Sequence, residues 1–212
     1  MVGLFTRWLL VLLLWPTTLS LAVDAPVILV FGDSLSAGYG LPQGKGWANL
    51  LQQRLREQGY EYRVVNASIS GETTLGGRNR LAQALAEHRP RIVIIELGPN
   101  DALRGQPLDA MRDNLTQMVH ASQTAKAKVV LVGMRIPPNY GPDYTEKFHA
   151  SFAAVAKATH AALVPFLFDG FAERREMFQS DGLHPAIEAQ SLMLDNVWKP
   201  LKPLLHKPAQ KG

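Results

Sequence analysis

The sequence of 212 residues contains no cysteine, which excludes disulfide bonds, thiolate metal ligands and the lipid-modified cysteine of a lipoprotein. It also lacks a strong excess of charge, because 22 Lys and Arg residues stand against 18 Asp and Glu residues. The basic residues are scattered and are not interleaved with aromatic ones, so we expect no nucleic-acid-binding arm. The chain has no repeat or low-complexity block, and its length suits one domain with a substantial core.

No apolar run is long enough to span a bilayer, but a short one lies near the N-terminus. The positive charge of Arg7 precedes the apolar run from Trp8 to Trp15, and small residues follow up to Ala22. This pattern predicts a cleaved signal peptide rather than an uncleaved anchor, and therefore a periplasmic or secreted protein. The predicted segments are a signal peptide over 1–22, a catalytic domain over 23–205 and a flexible tail over 206–212.

Short, β-branched apolar runs alternate with stretches of helical spacing along the rest of the chain. The runs are typical of strands buried on both faces, and they lie at Val27–Phe31, Tyr62–Val65, Ile92–Leu97, Val129–Gly133 and Ala162–Phe166. The last helix is predicted over Ile187 to Val197 and is expected to stop at Pro200. The alternation predicts an α/β fold with three layers (α/β/α) and a five-stranded parallel sheet in the flavodoxin-like order 2-1-3-4-5.

Polar residues follow the predicted strands at the edge where such sheets bind ligands. Each group is ambiguous by itself, since Asp33 or Ser34 could simply cap a helix, and Asp181 and His184 could be a surface pair. Three groups follow predicted strands, namely Gly32–Ser36, Asn66–Thr73 and Glu96–Asp101. A fourth group, Ser180–Pro185, precedes the predicted last helix.

Acyl transfer chemistry explains these groups together. A serine needs a base to take its proton, and a histidine base needs a carboxylate to fix its tautomer, which predicts a triad of Ser34, His184 and Asp181. With the two last residues three positions apart, we expect the carboxylate to reach the far ring nitrogen and the near one to face Ser34. The backbone N–H groups of Ser34 and Gly71 and the side-chain amide of Asn100 are the predicted oxyanion donors.

These blocks resemble the SGNH hydrolases of the GDSL esterase/lipase family, and the resemblance covers nearly all of the chain after the predicted signal peptide. Finer matches resemble its exported bacterial thioesterase/lysophospholipase (arylesterase) branch, and they lie at Ser36–Gly40, Val64–Gly71, Leu103–Gly105 and Ile136–Gly141. The resemblance implies the SGNH hydrolase fold, Ser34 as nucleophile, His184 as base, Asp181 as its orienting acid, and Gly71 and Asn100 as oxyanion donors. No cofactor or metal is expected, because no group of His, Asp and Glu has metal-ligand spacing.

Position 99 departs from this branch, which commonly has glycine where this chain has Pro99. Proline lacks an N–H and restricts the preceding residue, so we expect Gly98 to be extended and the acyl entrance to be narrower or more rigid. Ser36 is expected to bond back within its helix or to face away from the site.

Apolar residues in the loops after Asn100 and after strand four are candidate substrate contacts, namely Leu103, Ile136, Pro138 and Tyr140. They favour a groove for the acyl chains of thioesters, lysophospholipids and simple esters, although they could merely seal the sheet edge. The predicted function is therefore a serine hydrolase of acyl esters and thioesters. The alternatives are a carbohydrate or aryl-ester deacetylase with the same triad and a non-catalytic periplasmic binding protein. We also predict a small-molecule acyl substrate, transient contact with lipid, no binding of nucleic acid and a monomeric state.

Overall fold

The computed structural model describes residues 25–207, so the predicted signal peptide and residues 208–212 of the predicted tail lie outside the described residues. Within residues 25–207, no helix combines the length and the apolar character needed to cross a membrane. The first described tail residue, His206, follows the last helical turn, and its N–H donates to Tyr62 Oη at 3.3 Å.

Five parallel strands form one sheet in the order β2-β1-β3-β4-β5, which confirms the predicted order. The strands are β1 (Val27–Gly32), β2 (Arg63–Asn66), β3 (Ile92–Glu96), β4 (Lys128–Val132) and β5 (Ala162–Val164). Strands β1 and β3 lie side by side with Gly32 opposite Glu96. This register brings a carboxylic acid next to the turn at which the chain leaves β1.

Burial on both faces was predicted for all strands, and it is wrong for β2 and incomplete for β5, where only Val164 is fully buried. Every residue of β1 and β3 is buried, but β2 begins and ends with an exposed side chain. The physical reason is position, because β2 and β5 are the two edges of the sheet and each has a neighbouring strand on one side only.

Seven α-helices complete the fold of residues 25–207. They are α1 (Ser34–Ala37), α2 (Trp47–Glu57), α3 (Thr74–His88), α4 (Pro99–Leu103), α5 (Leu108–Thr124), α6 (Pro142–Thr159) and α7 (Gln190–Leu201). Helices α2 and α7 pack together against one face of the sheet, and α3, α5 and α6 form the layer on the other face. The short helices α1 and α4 start at the carboxyl ends of β1 and β3, where the site was predicted.

The last helix differs from its prediction. It starts with a short 3-10 turn (Ile187–Ala189) and continues through Pro200 to Leu201, so the expectation that Pro200 stops it is wrong. This proline lies in the last turn, where its missing N–H removes a single hydrogen bond, the one to the carbonyl of Asn196, and the helix ends one residue later. A second 3-10 turn follows over Lys202–Leu204.

The core lies between the central strands and the helices on both faces. Its largest fully buried side chains include Phe31, Trp47, Phe148 and Phe152, and burial of each such side chain contributes roughly 2 to 3 kcal/mol. This packing fixes the ends of β1 and β3, and with them the short helices that carry the candidate residues.

Candidate active site

The turn after β1 places Ser34 at the carboxyl edge of the sheet. Asp33 is the N-cap of α1, and its Oδ1 accepts the N–H of Leu35 at 2.9 Å. Asp33 therefore has the helix-capping role that the sequence left open for it, and it is buried while Ser34 is partly exposed. The cap fixes the first residue of α1, which is Ser34 itself.

A chain of two hydrogen bonds connects Ser34 to Asp181 through His184. The Nε2 atom of His184 lies 2.9 Å from Ser34 Oγ, and its Nδ1 lies 2.7 Å from Asp181 Oδ2. If Nδ1–H donates to Asp181, Nε2 is free to accept the hydroxyl proton of Ser34, which is the tautomer a general base needs.

The prediction about the two ring nitrogens is wrong, because Asp181 binds Nδ1, the nitrogen nearer the backbone, and Nε2 faces Ser34. The cause is a tight turn in which Asp181 Oδ1 accepts the N–H groups of Leu183 (2.9 Å) and His184 (3.0 Å). These bonds hold the carboxylate beside the His184 backbone. Desolvation acts to raise the pKa of Asp181, but the backbone bonds and the His184 ring outweigh it and lower that pKa to about 2.

An arginine that the sequence analysis missed supports the loop before Asp181. The guanidinium of Arg175 donates to the main-chain oxygens of residues 178–180 at 3.2, 2.7 and 2.9 Å. On the other side, the ring of Tyr39 packs on the His184 ring with 4.6 Å between centroids. The sequence did not predict the role of either residue, because both act through distant or main-chain partners.

The loop after β2 presents Gly71 with a left-handed backbone. Its φ of +80° strains any residue with a Cβ, and Arg104 Nη2 donates to its carbonyl oxygen at 3.0 Å. Within the described part of the chain, the N–H groups of Gly71 and Ser34 have no protein acceptor. Arg80 Nε binds Glu72 Oε2 at 2.7 Å and stabilises the same loop.

The side chain of Asn100 projects into the site from α4, but its amide is already engaged. Its Nδ2 donates to Asp33 Oδ2 and to the main-chain oxygen of Glu72, both at 3.0 Å. An oxyanion could therefore receive a hydrogen bond from Asn100 only by sharing or replacing one of these two acceptors. The sequence analysis identified the donor but not its partners.

Gly98 is not extended, contrary to the expectation from Pro99. It has φ +128° and ψ −33°, and Pro99 is the first residue of α4. A Cβ at position 98 would come within 3.1 Å of Phe152 and 3.2 Å of Met111. Glycine is needed for this approach, and proline at the first helical position costs no hydrogen bond.

The expectation for Ser36 is also wrong, because its buried hydroxyl donates to Glu96 Oε2 at 2.7 Å. The N–H of Asp33 points to the same oxygen at 3.4 Å. Burial raises the pKa of Asp33 to about 6, and burial together with the charge of Asp33 raises the pKa of Glu96 well above its ordinary value. Glu96 received no role from the sequence, although an acid that ends a buried apolar strand is itself an unusual signal.

A cavity of about 740 Å³ opens beside Ser34 and His184. Three of the four predicted substrate contacts line it, namely Leu103, Ile136 and Pro138. Tyr140 does not line it, and its hydroxyl instead donates to the Leu103 carbonyl at 3.3 Å. An aromatic wall of the cavity, formed by Phe166, Phe168 and Phe178, was not predicted from the sequence. Across residues 25–207, no group of three His, Asp or Glu side chains is placed to hold a metal ion.

Comparison with known proteins places these residues in a family context. The profile of the GDSL-like Lipase/Acylhydrolase family matches residues 30–191. The chain is 51% identical over 181 residues to esterase TesA of Pseudomonas aeruginosa, covering 85% of this chain and 90% of that protein. It is 37% identical over 200 residues to thioesterase 1/protease 1/lysophospholipase L1 of Escherichia coli (strain K12), covering 94% and 95% of the two chains.

A solved structure extends the likeness to three dimensions. The psychrotrophic esterase EstA from Pseudoalteromonas sp., inhibited by monoethylphosphonate, superimposes with a TM-score of 0.79 at 43% identity. The match covers 84% of this chain and 97% of the esterase. The fold of this chain is therefore shared along almost the whole length of a known esterase.

Proposed function

This chain belongs to the GDSL-like lipase/acylhydrolase family and is a serine ester hydrolase, and we propose that it cleaves acyl esters and thioesters through an acyl-enzyme on Ser34. The observation that carries the proposal is the hydrogen-bonded chain from Asp181 through His184 to Ser34 at the mouth of an apolar cavity. The named activities of the relatives support the substrate class.

In the first half-reaction, His184 Nε2 takes the hydroxyl proton as Ser34 Oγ attacks the acyl carbonyl carbon. Asp181 stabilises the imidazolium that forms, and the low pKa of its carboxyl keeps it charged at neutral pH. Collapse of the tetrahedral intermediate breaks the bond to the leaving alcohol or thiol, which receives the proton from His184. The acyl-enzyme is hydrolysed by a water molecule whose proton His184 takes, and the return of that proton to Oγ restores Ser34.

The negative oxygen of both intermediates needs donors on the opposite side of the carbonyl. The N–H groups of Ser34 and Gly71 fill this role because neither has a protein acceptor in the described chain. Asn100 adds a third donor. Its bond to Asp33 keeps the amide oriented, and the bond to the Glu72 carbonyl is the one the oxyanion replaces.

The cavity favours acyl chains longer than acetyl. Its volume of about 740 Å³ and its aromatic wall fit an apolar chain, whereas a deacetylase acting on polar alcohols needs little apolar space beyond the carbonyl. The deacetylase alternative therefore has no structural feature in its favour. A non-catalytic binding role has none either, since the triad geometry is complete.

The experiment that tests the proposal combines active-site labelling with a chain-length series. A fluorophosphonate should label the wild type but neither Ser34→Ala nor His184→Ala. The specificity constant on p-nitrophenyl esters and acyl-CoA thioesters should rise from the acetyl to medium-chain acyl groups. Labelling that persists in Ser34→Ala would refute the nucleophile, and a specificity constant highest on acetate would favour the deacetylase.

Transient contact with lipid is a further part of the proposal. Among residues 25–207, six large apolar side chains are exposed by 39 to 53%, all in loops or first helical turns near the carboxyl edge of the sheet, namely Tyr39, Ile69, Leu75, Tyr140, Leu183 and Ile187. A catalytically inactive Ser34→Ala protein should co-sediment weakly with phosphatidylcholine vesicles, and Ile69→Ser should reduce the bound fraction. Equal recovery in the supernatant with and without vesicles would contradict the contact.

We also propose a periplasmic or secreted, monomeric protein that acts on small acyl substrates and binds no nucleic acid. The export proposal rests on the charge and apolar run of residues 1–22. Mass spectrometry of the exported protein should give the mass of a chain that begins at Val23. An intact N-terminus on that protein would contradict cleavage.

A further inference from the structure

Two acidic side chains lie behind the nucleophile, and the triad uses neither of them. Glu96 ends β3, and the register of the sheet places it opposite Gly32, directly before Asp33 and Ser34. Both carboxyl groups are almost completely shielded from solvent, with exposed fractions of 0% for Glu96 and 1% for Asp33. Their position connects the carboxyl end of β1 to the carboxyl end of β3 at the catalytic edge.

The surroundings of Glu96 do not suit an anion. Among the described residues, its carboxyl group forms no salt bridge, and its Oε1 has no hydrogen-bond partner. Its Oε2 accepts the Ser36 hydroxyl at 2.7 Å and faces the Asp33 N–H at 3.4 Å. A buried carboxylate without a cation is costly, and a buried polar oxygen without a partner is costly as well. A proton on Oε1 removes the charge and turns that oxygen into a donor.

Asp33 lies next to Glu96, since its N–H points to Glu96 Oε2 at 3.4 Å. A hydrogen bond with Glu96 lowers the pKa of Asp33 against the larger effect of burial, and the charge of Asp33 contributes to the raised pKa of Glu96. Both effects correspond to a pair in which Glu96 keeps the proton and Asp33 carries the charge. Asp33 Oδ2 in turn accepts the Asn100 amide at 3.0 Å.

We infer that Glu96 is a positioning residue for the oxyanion hole: as a neutral carboxylic acid it accepts from Ser36, donates to Asp33, and so fixes the carboxylate that orients Asn100. The inference rests on the proposed function, because it gives Asn100 the role of an oxyanion donor. Glu96 does not touch the substrate and acts only through Asp33.

The packing around this pair leaves little room for alternative positions. A Cβ added at Gly32 would lie 2.8 Å from the main-chain oxygen of Glu96, from its Oε2 and from Ser36 Oγ. Glycine at position 32 is therefore what allows the glutamate and the serine hydroxyl to approach the turn. Because of this close contact, the position of β3 determines where the N-cap of α1, Asp33, lies.

Four proteins test the inference in a double-mutant cycle: the wild type, Glu96→Leu, Asn100→Ala and the double variant. Glu96→Leu should lower kcat on a short p-nitrophenyl ester by roughly 10- to 100-fold with KM nearly unchanged, because oxyanion donors act in the transition state. In the Asn100→Ala background, the same change should cost less than about threefold, since coupled residues are non-additive. If Glu96→Leu lowers kcat by the same factor in both backgrounds, the inference is overturned.

Glu96→Gln separates the neutral acid from an anion. Glutamine is uncharged, its Oε1 can accept from Ser36 and its amide can donate to Asp33, so kcat should stay within about threefold of the wild type. A loss as large as that of Glu96→Leu would show that the charge is needed and would refute the neutral acid.

Ser36→Ala keeps the test decisive if Glu96→Leu does not fold. Loss of this hydroxyl should lower kcat about three- to tenfold, again only when Asn100 is present. The matched control is Ser151→Ala, which removes a buried hydroxyl bonded to the Lys147 carbonyl at 2.7 Å away from the site and should leave kcat unchanged. An inactive wild type would refute the proposed function, whereas an active wild type with additive effects would refute only the role of Glu96.

Discussion

The Nε2 atom of His184 lies 2.9 Å from Oγ of Ser34, although the two residues are 150 positions apart in the chain. The contact joins the turn after β1 to the loop before α7, two segments that meet only because the parallel sheet gathers its loops at one edge. His184 can act as a base towards Ser34 only if its proton is on Nδ1, and Asp181 determines this by accepting a hydrogen bond from Nδ1–H.

Replacement of Asp181 by asparagine should lower kcat by roughly 10³- to 10⁴-fold, because the amide can donate to Nδ1 and so favour the wrong tautomer of His184. KM should change little, since the ground-state substrate does not contact this group. The control is Asp109→Asn, an exposed acid on α5. Steady-state kinetics on a p-nitrophenyl ester provides the measurement, and activity within tenfold of the wild type would contradict the role of Asp181.

Replacement of Gly71 by alanine should reduce kcat by about 10- to 100-fold, because φ of +80° is unfavourable with a Cβ and its relief would turn the N–H away from the oxyanion. Gly59→Ala is a matched control, since Gly59 has φ +74° at the end of α2, away from the site. Both variants should lose about 1 to 2 kcal/mol of stability, but only Gly71→Ala should lose activity. Equal loss of activity in both would mean that strain alone is responsible.

The sequence was sufficient for the sheet order and for the gathering of the five predicted site residues at one edge of the sheet. Buried strands have a recognisable apolar pattern, crossover connections have one hand, and the polar blocks lie at strand ends where that topology gathers them. The choice of ring nitrogen was not accessible, because it depends on two main-chain N–H groups that hold Asp181 in a turn. Sequence spacing does not specify such local backbone geometry.

The partners of Asn100 and Ser36 were missed for a different reason. Both depend on the register that places Glu96 opposite Gly32, and a shift of one residue would have turned the acid to the other face of the sheet. Arg175 was missed because it binds main-chain oxygens, which every residue type has. Tertiary register and main-chain contacts thus account for what the sequence could not predict.

Replacement of Arg175 by alanine should lower kcat about 5- to 50-fold and lower the melting temperature by a few degrees, because three hydrogen bonds to the loop before Asp181 are lost. Arg175→Lys should recover part of the activity, since a lysine can satisfy some of the three oxygens. The neighbouring exposed Arg174→Ala serves as control. If millimolar guanidinium fails to raise the activity of Arg175→Ala and Arg175→Lys is equally impaired, the loop is not held in this way.

Replacement of Pro99 by glycine should change chain-length preference more than turnover on a short ester. Pro99 is buried, lines the cavity and starts α4, so glycine frees the backbone at the acyl entrance without removing a catalytic group. The ratio of kcat/KM for octanoyl and acetyl esters should shift at least about threefold, with kcat on acetate within about twofold. Complete loss of activity would show that Pro99 is needed to hold Asn100.

The buried acid pair predicts a pH dependence of stability that runs opposite to that of Asp181. The pKa of Asp33 is raised by burial to about 6 from an ordinary value of 3.8, so between these pH values the folded chain binds more protons than the unfolded chain. The free energy of unfolding of the wild type relative to Asp33→Asn should therefore fall as pH rises from about 4 to about 6. One pKa unit corresponds to about 1.36 kcal/mol, so the fall is on the order of 3 kcal/mol.

Urea unfolding of both proteins at half-unit pH steps measures this difference, and Asp181→Asn provides the opposite sign. The pKa of Asp181 is lowered to about 2, so its stabilising contribution is present above about pH 4 and is lost as pH falls towards 2. Its side chain is partly exposed, which makes this effect small. The free energy of unfolding of the wild type relative to Asp33→Asn could instead stay constant or rise between pH 4 and 6. That result would show that Asp33 is not the acid whose pKa burial raises.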